Sequence, residues 1–241
     1  MVFRRKLAVV GAAVVAVAGV LAGCGGGYRT RSASPSSSGR TQTSGTTATR
    51  ASLREGFKAF IAAARAGGGA DLAGRFEAAI SAGNHNGFGL FHVPSAAMAP
   101  AMIAGDRVVA EPLGVGGPRR GDVVVFTATP AARVACGAHA KDARLIKRVV
   151  GLPGEQIRIV PNRGEVLVDG KRYDVKGASP NLVRTAATVF HVPQGKFFVL
   201  GDNRRDSCDS AIWRDPYVPQ ANVLWKVVGI YFPPNRARLV R

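Results

Sequence analysis

Three short segments of the 241-residue chain carry side chains that could together make a serine hydroxyl into a nucleophile. They are Pro94–Asp106 and Phe198–Ser210, which contain serines, and Arg144–Glu155, which contains Lys147. A serine hydroxyl is a poor nucleophile until a base removes its proton, and a lysine can be that base only when its amine is neutral near pH 7. Burial lowers the pKa of a lysine by several units, so a buried lysine beside a serine would suit this chemistry.

The surroundings of Lys147 fit either a catalytic or a structural role. The residue lies in a β-type run, Leu145 to Val150, whose apolar side chains could keep water away from its amine. A strand lysine that points into solvent would show the same pattern. From this run alone, the solvated position is the simpler interpretation.

Taken in order, the three segments resemble the signatures of type I signal peptidases, membrane-bound serine endopeptidases that use a Ser/Lys dyad. The family pattern Pro-Ser-x-Ser-Met-x-Pro is followed, with one exception, from Pro94 to Pro100. Leu-Pro-Gly comes soon after Lys147, and the third segment contains Gly-Asp-Asn-Arg followed by Ser-x-Asp-Ser. The resemblance covers roughly residues 88–232 and implies that Lys147 is the general base.

The exception is Ala97, which stands where the resemblance requires the nucleophilic serine. A methyl group cannot attack a peptide bond. Loss of the nucleophile in serine hydrolases typically costs on the order of a millionfold in kcat. We therefore expect a signal-peptidase-like pseudoenzyme, with no cofactor, that retains binding of extended Ala-x-Ala-type peptides by strand addition.

The resemblance also implies roles for residues around the dyad. Ser95 corresponds to a serine that forms the oxyanion hole together with the backbone N–H of residue 97. Ser207 corresponds to the serine that orients the base, and Asp209 to an acid behind it. The remaining implied residues are an ion pair and two groove residues, namely Arg148, Asp202, Met98 and Pro100.

Two further departures from the pattern lie near the implied site. Ala101 replaces a common threonine, and Ala211 replaces the arginine that usually pairs with the acid at Asp209. An active endopeptidase that uses Ser95 with Lys147 is a competing interpretation. On an extended backbone, however, the Ser95 side chain would lie about 7 Å from that of residue 97 along the same face. A structural envelope lipoprotein is another alternative.

The N-terminus predicts export and a membrane anchor. A basic start precedes an apolar stretch, Leu7 to Leu21, which is shorter than the roughly twenty residues of a spanning helix. The stretch ends in Leu-Ala-Gly-Cys, which resembles a bacterial lipoprotein signal with acylation at Cys24. An uncleaved anchor is the alternative. Both place the chain on the outer face of the cell membrane.

The net charge of +18 indicates an anionic partner. Residues 51–241 hold 26 basic against 15 acidic side chains, so the excess extends beyond the leader. No nucleic-acid-binding motif accompanies this charge, and we expect an anionic lipid surface as the partner rather than nucleic acid.

The rest of the chain divides by composition and periodicity. The composition of residues 25–50 predicts a linker rich in Ser, Thr, Gly and Arg. The apolar spacing of residues 51–84 predicts a helical hairpin with caps at Ser52 and Asp71. Residues 85–241 predict an all-β domain of folded sheets or a partly closed barrel. Its expected strands are 88–93, 107–111, 122–128, 145–150, 156–160, 165–168, 188–192, 197–200 and 224–232.

The cysteines and histidines indicate little further chemistry. Cys136 and Cys208 could form one disulfide in an oxidising compartment or remain two free thiols. The four histidines lack the spacing of metal ligands, so no metal site is expected; they are His85, His92, His139 and His191.

Overall fold

The structure is a computed structural model that describes residues 50–68, 70–82, 88–138, 140–160, 165–175 and 188–240. The expected leader, Cys24, His85, His139 and nearly all of the expected linker lie outside these residues. The chain forms two compact units, with the division between residues 85 and 86. No helix in the described ranges is long and apolar enough to cross a membrane.

The first unit contains two helices, α1 (Arg50–Arg65) and α2 (Ala70–Ala82). They pack through aromatic rings: the Phe76 ring centroid lies 5.6 Å from that of Phe57 and 4.6 Å from that of Phe60. The predicted cap at Ser52 is wrong, because α1 begins two residues earlier. The predicted cap at Asp71 is also wrong. This residue lies within the first turn of α2, where its carboxylate favours the positive end of the helix dipole.

The second unit is mostly β-structure, which confirms the predicted fold class. Its strands are β1 (Gly89–His92), β2 (Arg107–Pro112), β3 (Val123–Thr127), β4 (Arg144–Gly151), β5 (Gln156–Val160), β6 (Glu165–Val168), β7 (Lys171–Arg172), β8 (Thr188–His191), β9 (Lys196–Leu200), β10 (Tyr217–Pro219), β11 (Val223–Phe232) and β12 (Arg238–Leu239). Most predicted strand limits agree within one or two residues. β7, β10 and β12 were not predicted because each has only two or three residues.

The strands form two antiparallel sheets. The larger has the order β1-β2-β11-β3-β4-β9-β10, with β12 beside β11, and the smaller has the order β7-β6-β5-β8. In the pairings of the described strands, neither sheet closes into a barrel. β6 and β7 meet at Asp169-Gly170, whose φ angles of 48° and 77° are typical of a tight two-residue hairpin turn.

The core lies on both faces of the larger sheet, which explains the unbroken apolar run of β3. Val124 and Phe126 pack into one buried cluster with Val149, whereas Val123 and Val125 pack into another on the opposite face. A strand covered on both faces needs apolar residues at every position. β4 pairs with β3 throughout Arg144–Arg148 and is thereby carried into this core.

Helix α3 (Pro130–Cys136) was missed from the sequence, although its ends carry recognisable signals. The Thr129 hydroxyl accepts a hydrogen bond from the Ala132 N–H at 3.2 Å, and Pro130 occupies the first turn. Gly137 ends the helix in the left-handed conformation, with φ of 63°. The helix has only seven residues, too few for the apolar periodicity on which helix prediction depends.

The last residue of α3, Cys136, is joined to Cys208 by a disulfide with an S–S distance of 2.06 Å. The bond links residues 72 positions apart, and the Trp213 indole N–H donates to the Cys136 sulfur at 3.2 Å. Cross-linking so long a loop restricts the unfolded chain.

We expect the double replacement Cys136→Ala/Cys208→Ala to lower the free energy of unfolding by about 2–4 kcal/mol, measured by urea denaturation. Reducing agent should destabilise the wild type by a similar amount and leave the double variant unaffected. Rapid alkylation of both cysteines in unreduced native protein would contradict the pairing.

Candidate active site

The first signature segment follows β1 and turns at Ser95. Residues Ala96–Met98 form one turn of 3-10 helix, and the Ser95 hydroxyl caps it by accepting the Ala97 N–H at 3.5 Å. The assumption of an extended backbone between Ser95 and Ala97 is therefore wrong, and the argument from a 7 Å separation no longer applies. Because its side chain caps the turn, Ser95 stays exposed while Ala97 and Met98 are buried.

The end of the same segment is anchored by a buried carboxylate. Asp106 accepts the Ile103 N–H at 2.9 Å and pairs with the Arg236 guanidinium at 2.7 Å. Hydrogen bonding to Asp106 raises the pKa of Arg236. The loop from Ser95 to Asp106 is thus held at its far end by a residue near the C-terminus.

Lys147 lies on β4, opposite Val124 of β3, with only 5% of its surface exposed. Burial lowers the pKa of its amine, and the carboxylates of Asp209 and Asp202 oppose that shift. The resemblance demands a lysine that can be neutral at moderate pH, and this environment favours the neutral amine.

The third segment follows β9 and contacts the first directly. The Asn203 backbone N–H donates to the Ala97 carbonyl at 3.1 Å, and its side-chain amide donates to the Ala96 carbonyl at 3.2 Å. Asn203 received no role from the sequence, although it belongs to the Gly-Asp-Asn-Arg motif. These two hydrogen bonds fix the backbone of residues 96 and 97 against the third segment.

Asp209 is buried and lacks the arginine that the family pattern would place at Ala211. Its carboxylate instead accepts the N–H groups of Gly201 at 2.9 Å and Ala211 at 3.1 Å. Burial raises its pKa, while these donors and the nearby Lys147 oppose the rise. Arg204, also without a role from the sequence, is buried near Asp209, and burial lowers the pKa of its guanidinium.

Ser207 projects into the same buried region. Its hydroxyl oxygen is enclosed and forms no hydrogen bond of acceptable geometry within the described residues. It nevertheless lies close enough to Asp209 to oppose the rise in that carboxyl's pKa. A second close neighbour of Ser207 is Gly201, where an added Cβ would overlap both the Ser207 side chain and the Ala97 carbonyl.

We therefore expect Gly201→Ala to destabilise the protein by about 1–3 kcal/mol, because backbone on two segments must move. Thermal unfolding measures the effect. Gly74→Ala makes the same chemical change in α2, where nothing lies within 4 Å of the new methyl group, and should be neutral or stabilising. Equal stability of both variants would refute the close approach at Gly201.

Arg148 and Asp202 form a buried, two-pronged ion pair behind Lys147. The guanidinium Nε and Nη2 donate to the two Asp202 oxygens at 2.8 and 2.6 Å, and Nη1 donates to the Gly121 carbonyl. Burial alone would lower the pKa of Arg148, but its bonds to Asp202 raise it above the ordinary value. The pair joins β4 to the start of the third segment.

A cleft of about 160 Å³ brings the first and second segments together. Ser95, Ala97 and Lys147 all line it, as does Met98, whereas Pro100 does not. Most of the lining is apolar. Two polar side chains, those of His92 and Arg144, also line the cleft, although the sequence assigned them no site role. The other residues that line it are Phe91, Val93, Pro94, Val125, Leu145 and Ile146.

No group of three or more potential metal ligands occurs among the described His, Cys, Asp and Glu residues. His92 lines the cleft, and His191 lies exposed on β8. Lys147, Ala97 and Ser95 bring a buried amine, a methyl group and a hydroxyl to the cleft.

Comparison with known proteins identifies the family. Residues 82–232 match the model of "Signal peptidase, peptidase S26". Signal peptidase I of Leptolyngbya laminosa is 34% identical over 151 residues, covering 60% of this chain and 69% of that protein. Probable signal peptidase I-2 of Synechocystis sp. is 33% identical over 151 residues, covering 62% of this chain and 65% of that protein.

A crystal structure of a signal peptidase I from Enterococcus faecalis is also similar. It is 29% identical, with a TM-score of 0.32, and the match covers 44% of this chain and 92% of that one. The family match extends from residue 82 to residue 232 and includes all three signature segments. The chain belongs to the signal peptidase family, peptidase S26.

Proposed function

We propose that the second unit binds extended peptide segments in the cleft without cutting them. The observation that carries this proposal is the composition of the cleft: a buried Lys147 faces the same space as Ala97, whose side chain has no nucleophilic atom. The family pattern assigns the base to Lys147, which is present, and it assigns the attacking hydroxyl to position 97, where this chain has alanine. Substrate binding would therefore end without an acyl-enzyme.

Two strand edges beside the cleft support strand addition. β1 stands at one end of the larger sheet. On β4, residues 144–147 pair with β3, while the pairing with β9 begins only at Arg148. Within the described strands, both edges offer backbone groups to an inserted extended chain. The small volume between them favours small side chains such as alanine.

The ligands would be exported proteins or their signal peptides. This assignment follows from the family and from relatives named signal peptidase I. It requires a site outside the cytoplasm and close to a membrane, which agrees with the leader expected in residues 1–24. Acylation at Cys24 and attraction of the basic chain to anionic lipid belong to the same proposal.

An active endopeptidase that uses Ser95 is the competing function. It is favoured by one observation, namely that the exposed Ser95 lines the same cleft as Lys147. Against it, the Ser95 hydroxyl accepts the Ala97 N–H and so caps the turn that shapes the site. Attack by Ser95 would require the turn to rearrange.

Binding and cleavage can be tested together with fluorescent peptides. We expect wild-type protein to bind a peptide containing Ala-Gln-Ala at least about tenfold more tightly than one containing Leu-Gln-Leu, since the larger side chains must displace cleft residues. Anisotropy measures affinity, and mass spectrometry shows whether the peptide stays intact. Ala97→Leu should fill the cleft and weaken binding, whereas Ala135→Leu, on an exposed position of α3, should not.

Failure of both peptides to bind the wild-type protein would overturn the proposal. This result does not depend on the Ala97→Leu variant, so it remains decisive even if circular dichroism shows that the variant is unfolded. Cleavage by wild type that disappears in Ser95→Ala would replace the proposal with the competing function.

A further inference from the structure

The cleft carries a fixed positive charge at Arg144, three residues before Lys147 on β4. The Arg144 guanidinium carbon lies 4.7 Å from the centroid of the Trp225 ring and 5.8 Å from that of Phe91. Attraction between a cation and the face of an aromatic ring is strongest for tryptophan. Although Arg144 is exposed, its guanidinium therefore contacts two aromatic rings, which favour this position of the side chain.

No carboxylate neutralises this charge within the described part of the chain. Two other buried or half-buried arginines of the second unit do have an acidic partner: Arg148 pairs with Asp202, and Arg236 pairs with Asp106. Among the residues that the structure describes, Arg144 contacts the two rings and no carboxylate, and none of those that line the cleft is acidic. The cleft therefore presents an unpaired cation to whatever it binds.

The position of Arg144 defines where an anionic group would lie. An extended chain beside β4 advances about 3.3 Å per residue, so Arg144 lies about 10 Å along the strand from Lys147. Between them, Ile146 and Val125 contribute apolar floor. His92 also lines the cleft and can donate a further hydrogen bond.

Resting on the peptide binding proposed above, we propose that the cleft selects extended peptides with an acidic side chain opposite Arg144, about three residues from the small residue beside Lys147. A glutamate or aspartate there would gain charge-assisted hydrogen bonds from a guanidinium that is already ordered. Because Arg144 already contacts the Trp225 and Phe91 rings before a peptide binds, its side chain loses less entropy on binding than a fully solvated arginine would.

The test uses pairs of peptides that contain Ala-Gln-Ala and differ only by Glu or Gln. The substituted position is moved one residue at a time along the peptide on both sides of the small residues. We expect one position, about three residues away, at which the Glu peptide binds about three- to tenfold more tightly than its Gln partner. Raising the salt concentration towards 1 M should remove this preference.

Variants assign the preference to one side chain. Arg144→Gln should equalise the affinities for the Glu and Gln peptides, and Arg144→Glu should favour a Lys peptide at the same position. Arg158→Gln removes an exposed charge from β5, which does not line the cleft, and should keep the wild-type preference.

Three outcomes would overturn the inference. Equal binding of Glu and Gln peptides at every position would refute it while leaving peptide binding intact. A preference for Glu that survives in Arg144→Gln would show that another group is responsible. Absence of binding by any peptide would remove this inference together with the proposed function.

Discussion

Ala97→Ser is expected to convert the protein into a peptidase that cuts an Ala-x-Ala peptide. Removing the nucleophile of a serine hydrolase costs on the order of a millionfold in kcat, so introducing a serine at position 97 should recover part of that factor. The departures at Ala101 and Ala211 set a lower expectation, a gain of about a thousandfold or more over wild type. Cleavage is followed by chromatography and mass spectrometry of the products.

The matched control is Ala96→Ser, which adds the same hydroxyl one residue away on the exposed side of the turn. It should leave the peptide uncut. Adding Lys147→Met to Ala97→Ser should abolish the gained activity, because no base then remains to accept the serine proton. Wild-type cleavage as fast as that of Ala97→Ser would contradict the prediction.

The pH dependence of Ala97→Ser follows from the environment of Lys147. Only the neutral amine can accept a proton, so the rate should rise with pH through the pKa of Lys147. Burial lowers that pKa from its ordinary value of 10.5, so the rise should occur below pH 10.5. Asp209 raises the pKa of Lys147. Asp209→Asn should therefore move the profile to lower pH, a shift that a purely structural residue would not cause.

Breaking the Arg148–Asp202 pair is expected to be the most destabilising single change. Both side chains are almost fully enclosed, with 4% and 2% exposed, and all three guanidinium nitrogens are engaged. Asp202→Ala would remove the carboxylate that balances a buried cation, which typically costs about 3–5 kcal/mol. Urea denaturation followed by circular dichroism measures the loss.

An exposed ion pair provides the comparison. Arg172 contacts Asp174 at 2.8 Å, but 64% of its side chain is in solvent. Arg172→Ala should therefore destabilise the protein far less than Asp202→Ala, because solvent screens an exposed pair. Equal losses of unfolding free energy in Asp202→Ala and Arg172→Ala would show that burial does not determine how much an ion pair contributes here. A smaller loss in Arg148→Met/Asp202→Leu than in Asp202→Ala would agree with the cost of an unpaired charge.

The sequence alone determined the fold class and most strands. Alternating and continuous apolar runs depend on which faces of a strand are covered, so all strands of four or more residues could be predicted from local pattern. The Asp169-Gly170 turn also has a signal in adjacent residues, because only a few residue types adopt a positive φ readily. The departure at Ala97 could be recognised because the residues on both sides of it follow the family pattern.

Only the tertiary structure decided how distant segments meet. It joined Cys136 to Cys208 where the sequence allowed either a disulfide or free thiols. It also replaced an assumed extended backbone with the turn capped by Ser95, and it placed Asn203 against the carbonyl of Ala97. These contacts link residues that are far apart in the chain, and no local spacing encodes them.

The charge of the cleft is the strongest example of that limit. In the sequence, Arg144 is one of 33 basic residues, with nothing to distinguish it. In the structure it lies over Trp225, 81 positions away, at the mouth of the same cleft that holds Lys147 and Ala97. Whether an arginine is a solvated surface charge or a fixed recognition group depends on which rings and carboxylates the fold brings to it, and that is a property of packing.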